Sequence, residues 1–103
     1  MVIDPKIVRV LNQLMEYSPE KVILFGSQAK NSSDFYSDID LIIIKNTRKL
    51  FLDRIKDVLK IIKPNFAIDI LVYTPNEFQK MVSDGNPFLE HVLKQGKVIY
   101  EKS

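Results

Sequence analysis

Cysteine is absent from this 103-residue chain, histidine occurs once, and no apolar run approaches the length that crosses a bilayer. Without cysteine there are no disulfides and no thiolate metal sites, which fits an intracellular protein, and a cytoplasmic location is expected. The opening residues are interrupted by Asp4, Pro5 and Lys6 and contain no apolar core of a signal peptide, so no membrane association is expected. The sole histidine, His91, has no second His or Cys at ligand spacing and reads as a surface or interface residue. Charge of one sign is also scarce: a net +2 is too small to argue for nucleic acid as a direct substrate. No repeat, low-complexity tract or internal linker is visible. The length predicts a single domain over residues 1–103, too small for a second substrate-binding module, so substrate recognition would draw on the acceptor.

What is present is concentrated between Lys21 and Ile44. Val22 to Phe25 and Leu41 to Ile44 are short, rich in β-branched residues and bounded by turn formers, which predicts two buried strands. Gly26-Ser27 follows the first, and Asp38-Ile39-Asp40 opens the second. Side chains alternate along a strand, so Asp38 and Asp40 project from one side. Like charges this close repel unless a cation lies between them, and Mg²⁺, which favours a few carboxylate oxygens with substrate phosphates and water, is the natural partner. After the first strand, Gly26 permits a close backbone turn, while Ser27 and the following amides could open a short helix whose free N–H groups attract phosphate. The structural alternative is a strand, turn and helix with Ser27 as N-cap. Asp34, in the polar segment from Gln28 to Ser37, is either a solvated loop residue or a further metal ligand.

The flanking chain alternates helices and strands. Asp4 and Pro5 fit the N-cap and first residue of an amphipathic helix carrying Ile7, Val8, Leu11, Leu14 and Met15 and ending near Tyr17. Lys45 to Lys63 reads as a second helix, with Phe51, Ile55, Val58, Leu59 and Ile62 on its apolar face. Lys45, Arg48, Lys49, Arg54, Lys56, Lys60 and Lys63 form a basic face, either solvated or set against an acidic partner or RNA; pairs Asp53/Lys56 and Asp57/Lys60 account for part of it. Phe66 to Tyr73 reads as a strand with Phe66, Ile68, Ile70 and Val72 on one face and Ala67, Asp69 and Leu71 on the other. Asp69 is the outlier: it is either exposed at an edge or meets charge at a site, because burying a lone carboxylate is costly. Thr74-Pro75-Asn76-Glu77 is a capping box, Asp84-Gly85 ends its helix, and Asn86-Pro87 starts another that stops at Gly96. Phe88 and Leu89 could belong to the core or to a homo- or hetero-oligomer surface. Lys97 to Tyr100 is a last short strand.

Gly26-Ser27, ten intervening residues, Asp38-Ile39-Asp40 and a later aspartate in an apolar strand resemble the DNA polymerase beta superfamily of nucleotidyltransferases. At this length the chain is most similar to the minimal nucleotidyltransferase (MNT) domains paired with HEPN ribonucleases in toxin–antitoxin systems. The family's loop commonly reads Gly-Ser-Arg-Ala-Arg-Gly. Here Gln28, Lys30 and Asn31 replace the arginines and the last glycine; Lys30 restores charge but not the planar fork.

The resemblance implies an α/β fold, a small mixed sheet with helices packed against it. It implies Mg²⁺-dependent transfer of a nucleoside monophosphate, with ATP as the expected co-substrate. Asp38 and Asp40 would hold two Mg²⁺ ions, Asp69 would help hold the second and assist deprotonation of the attacking hydroxyl, and Gly26, Ser27 and Lys30 would bind the triphosphate. It further implies a HEPN-type partner protein whose hydroxyl receives the nucleotide. Two alternatives remain at this stage: an aminoglycoside-type enzyme acting on a small molecule, and a binding-only antitoxin.

Overall fold

The structure is a computed structural model that describes residues 4–26 and 39–102. Helix α1 (Pro5–Leu14) begins where the Asp4 carboxylate accepts the Lys6 N–H at 2.8 Å, with Pro5 in the first helical position. A 3₁₀ turn over Met15–Tyr17 ends in a left-handed Ser18 and leads through Pro19 into β1 (Lys21–Phe25). There follow β2 (Ile39–Ile44), α2 (Phe51–Ile62), β3 (Ile68–Tyr73), α3 (Pro75–Ser83), α4 (Pro87–Gln95) and β4 (Lys97–Glu101). Among the described residues no helix is long and apolar enough to cross a membrane.

Among the described residues the sheet has four strands in the order β3-β2-β1-β4. β1 runs antiparallel to β2 and to β4, while β2 and β3 are parallel and joined through α2. This is the mixed α/β sheet that the sequence predicts. Alternation sorts the strand residues between its faces. Val22, Leu24, Ile39, Leu41, Ile43, Ile70 and Val72 pack with Ile7, Val10 and Leu14 of α1 and Val58 and Ile62 of α2. Ile23, Ile42, Ile44, Leu71 and Tyr73 pack with Phe78, Met81, Leu89 and Val92 of α3 and α4. Each fully buried aliphatic side chain contributes about 1.5–3 kcal/mol, so both helix layers are held chiefly by apolar burial.

Several expectations are corrected. The second helix starts at Phe51, because Lys45 remains bound to β3 through its N–H to the Tyr73 carbonyl at 2.9 Å. The Lys45 side chain turns back over Tyr17, its ammonium 4.6 Å from the ring centre and donating to the Tyr17 carbonyl. Asp57 pairs with Lys49 at 2.6 Å rather than with Lys60. Arg54 leaves the basic face altogether and is only 6% exposed. The choice left open for Phe88 and Leu89 divides: Leu89 is fully buried, while Phe88 is part-exposed and stands edge-on to Phe25 at 5.7 Å. His91 is exposed, as expected.

Candidate active site

The end of the sheet where β1 finishes and where β2 and β3 begin carries the polar residues. β2 starts at Ile39, two residues earlier than the apolar run alone indicates, so Asp40 is a strand residue. Its register neighbours are Phe25 on β1 and Asp69 on β3. Ile39 and Leu41 face α1 and α2, so Asp40 faces the side covered by α3 and α4. The same alternation turns Asp69 to that side, between Ile68 and Ile70, which face away from it. Adjacent strands lie about 4.8 Å apart, so two carboxylates are presented side by side from rigid backbone.

Gly26 completes this end. Its φ of +78° is a conformation that L side chains rarely adopt, and a Cβ there would run into the Asp40 carboxylate. The positive φ is what requires glycine here, and any Cβ would in addition push the Asp40 carboxylate out of its place. The Phe25 ring, seated against Phe88, walls one side. Asp69 is exposed and Asp40 half-buried, with its own interaction partner. Sequence reading thus names Gly26, Asp40 and Asp69, and the structure brings these three together. Ser27, Lys30, Asp34 and Asp38 lie outside the described residues. Among the described residues no cluster of three metal-ligating side chains forms. The donor chemistry nevertheless fits a hard divalent cation: neighbouring carboxylates on one face supply oxygen ligands, and their repulsion is relieved by positive charge between them.

A second polar centre went unread in the sequence. The Arg54 guanidinium grips Glu77 through two bonds of 2.7 and 3.2 Å, and donates to the Val72 carbonyl at 3.1 Å and the Lys49 carbonyl at 2.8 Å. Glu77 is also the capping-box residue of α3, accepting the Thr74 N–H at 2.8 Å while its own N–H donates to the Thr74 hydroxyl at 3.1 Å. The Arg54 hydrogen bonds, and then the backbone N–H of Thr74, lower the carboxyl pKa below its usual 4.5. The signal was available. Arg54 stands four residues before Val58 and eight before Ile62, inside the apolar stripe of α2.

A mixed sheet with helices on both faces, and paired strand carboxylates beside a glycine turn, defines a nucleotidyltransferase-type architecture. Residues 6–103 match the Polymerase beta, Nucleotidyltransferase family model, and the chain belongs to that family. It is 31% identical over 85 residues to a Methanocaldococcus jannaschii protein named as a candidate protein adenylyltransferase. That match covers 79% of this chain, and the chain spans 58% of the relative's length. A crystal structure of a candidate nucleotidyltransferase from Sulfolobus solfataricus superposes with a TM-score of 0.62 at 20% identity, covering 94% of this chain and 84% of that one. A toxin–antitoxin crystal structure with AMP-PNP also gives 0.62, at 15% identity, covering 97% and 76%. At these identities the two structures speak for the fold alone.

Proposed function

We propose that the chain transfers a nucleoside monophosphate, AMP from ATP, to a hydroxyl of a partner protein, and that it acts as the antitoxin of a HEPN-type toxin. The observation that carries this reading is the register pairing of Asp40 with Asp69 beside Gly26, in a chain of the polymerase beta nucleotidyltransferase family. The adenylyltransferase name of the M. jannaschii relative supports the acceptor assignment.

In this reading Asp40 and Asp69, together with Asp38, hold Mg²⁺ through carboxylate oxygens. The metal, when bound, supplies a Lewis acid that polarises the α-phosphate and lowers the pKa of the attacking hydroxyl. Gly26 lets the backbone approach the triphosphate, with Ser27 and Lys30 binding it alongside. Asp69, on a strand and exposed, faces the incoming hydroxyl and assists removal of its proton. The acceptor oxygen forms its bond to the α-phosphorus in line as the bond to pyrophosphate breaks, so no nucleophile of this chain is needed.

The test is transfer of α-³²P label from ATP with Mg²⁺ onto proteins of a source-cell extract, comparing the native chain with Asp40→Asn. A labelled protein band with the native chain alone, identified as a HEPN protein, is the expected result. Label confined to small molecules would favour an aminoglycoside-type acceptor. No label, together with no Mg²⁺-dependent rise in melting temperature on adding ATP, would leave a binding-only module; at one hundred times Kd that rise corresponds to about 2.7 kcal/mol.

A further inference from the structure

β3 is the last strand on its side of the sheet among the described residues, and it is regular along all six residues of its pairing with β2. The Ala67 carbonyl accepts from Ile39 and the Tyr73 carbonyl from Lys45. In a parallel ladder alternate residues turn their peptide groups to the same neighbour, so those of Ile68, Ile70 and Val72 point outward. The guanidinium of Arg54 takes the outward carbonyl of Val72. The outward groups of Ile68 and Ile70, on either side of Asp69, are bonded to no other strand among the described residues.

The helix above this edge carries a matching stripe. Leu52, Lys56 and Leu59, followed by Lys63 at the left-handed C-cap, recur at spacings of three and four, the lysines exposed and the leucines 68% and 37% exposed. Burial and then Asp57 raise the Tyr17 pKa, with Arg54 and Lys49 opposing, so the 3₁₀ turn meets α2 on the side that carries Asp57 rather than on the side of this stripe. The stripe therefore looks away from α1, over the side of the sheet that ends at β3. Lys63 lies five residues before Ile68, so the basic end of the stripe adjoins the Asp69 end of the strand.

We infer that this surface docks an extended segment of the acceptor protein, which pairs with the outward peptide groups of Ile68 and Ile70 and sets apolar and acidic side chains against Leu52, Leu59, Lys56 and Lys63. The inference rests on the nucleotidyl-transfer reading and names how that acceptor is held: a strand added here runs past Asp69. Peptide groups that pair with no other strand among the described residues select a peptide by main-chain hydrogen bonding, and the lysines select negative charge. A second copy of this chain would oppose lysine to lysine across a two-fold axis. RNA would draw on aromatic stacking platforms, whereas the lysines here are interleaved with leucines.

The test places a photo-crosslinking residue at Leu59 or, as control, at Val98 on the opposite edge strand, irradiates each chain in source-cell extract, and adds α-³²P ATP with Mg²⁺ in parallel. The expected result is one protein crosslinked through position 59 and not 98, identical with the protein that receives the label. Lys56→Glu/Lys63→Glu should reduce both crosslink and label by about ten-fold or more while its dichroism spectrum stays native. Ile68→Pro removes an outward N–H and leaves the β2 ladder intact, so it should raise the acceptor KM more than it lowers kcat. A charge-dependent crosslink through position 59 without label would uphold the docking surface and overturn the transfer reading. Label transferred equally by native and charge-reversed chains, or a crosslink only to RNA or to another copy of this chain, would overturn the docking surface. So would the absence of any crosslink at position 59 above that at 98.

Discussion

The two ends of β3 carry carboxylates in opposite circumstances. Beyond its C-terminal end, the Glu77 carboxylate is bonded by Arg54 and by the Thr74 N–H, and the same arginine bonds the strand's outward Val72 carbonyl. Near its N-terminal end, Asp69 is exposed beside Asp40, and among the described residues no lysine or arginine pairs with it. A carboxylate that holds the fold together is satisfied by the chain's own donors. In the proposed reading Asp69 is left for a cation or substrate to complete, and an exposed carboxylate of this kind contributes little to stability.

Breaking the exposed end should separate activity from stability most sharply. Asp69→Asn is expected to reduce label transfer by about a thousand-fold while leaving the melting temperature unchanged or slightly raised, since a repulsive neighbour is removed. Asp40→Asn should lose transfer as fully, but half-buried Asp40 has an interaction partner of its own, so its melting temperature is not part of the contrast. If Asp69→Asn instead melts well below the native chain, its carboxylate serves the fold and the contrast collapses.

The hydrogen-bonded end should give the converse. Arg54→Ala strands Glu77 and the Val72 carbonyl, and is expected to cost about 3 kcal/mol in urea unfolding. Transfer measured well below its melting temperature should change little. Between these lies Gly26, which belongs to both accounts. Gly26→Ala imposes a strained φ and a collision with the Asp40 carboxylate, so a loss of about 2 kcal/mol should accompany loss of transfer.

The same contrast explains what the sequence made legible. Strand alternation and turn residues were enough to single out Asp40, Gly26 and the Thr74–Glu77 capping box, because each follows from local spacing, whereas for Asp69 spacing left an edge and a site both open and the family resemblance pointed to the site. For Arg54 the local period reports only burial within the apolar stripe of α2; its partners, a carbonyl 18 residues away and a carboxylate 23 away, are reported by no local period. The helix start failed for a related reason. Residues 45–50 have helical composition, but Lys45 is held by β3 and Tyr17, and tertiary bonds override propensity. The outward edge of β3 was equally invisible, since only the strand order reveals which strand is last.

The smallest effect probes Glu77 by pH. Its folded-state pKa is depressed, chiefly by the Arg54 hydrogen bonds, relative to 4.5 in the unfolded chain. Its ionised form therefore adds stability that is fully present above 4.5 and is lost as pH falls through the lower folded value. Glu77→Gln should cost a constant amount at neutral pH, and the gap to the native chain should narrow only in acid. The side chain is 45% exposed, so solvent screens the pair and the electrostatic part should stay below about 1 kcal/mol. Unfolding midpoints followed from pH 7 into the acid range would test this. A gap that stays constant through acid would assign the cost to capping geometry rather than charge, leaving the Arg54 bonds to the Val72 and Lys49 carbonyls as the main lock on this end of β3.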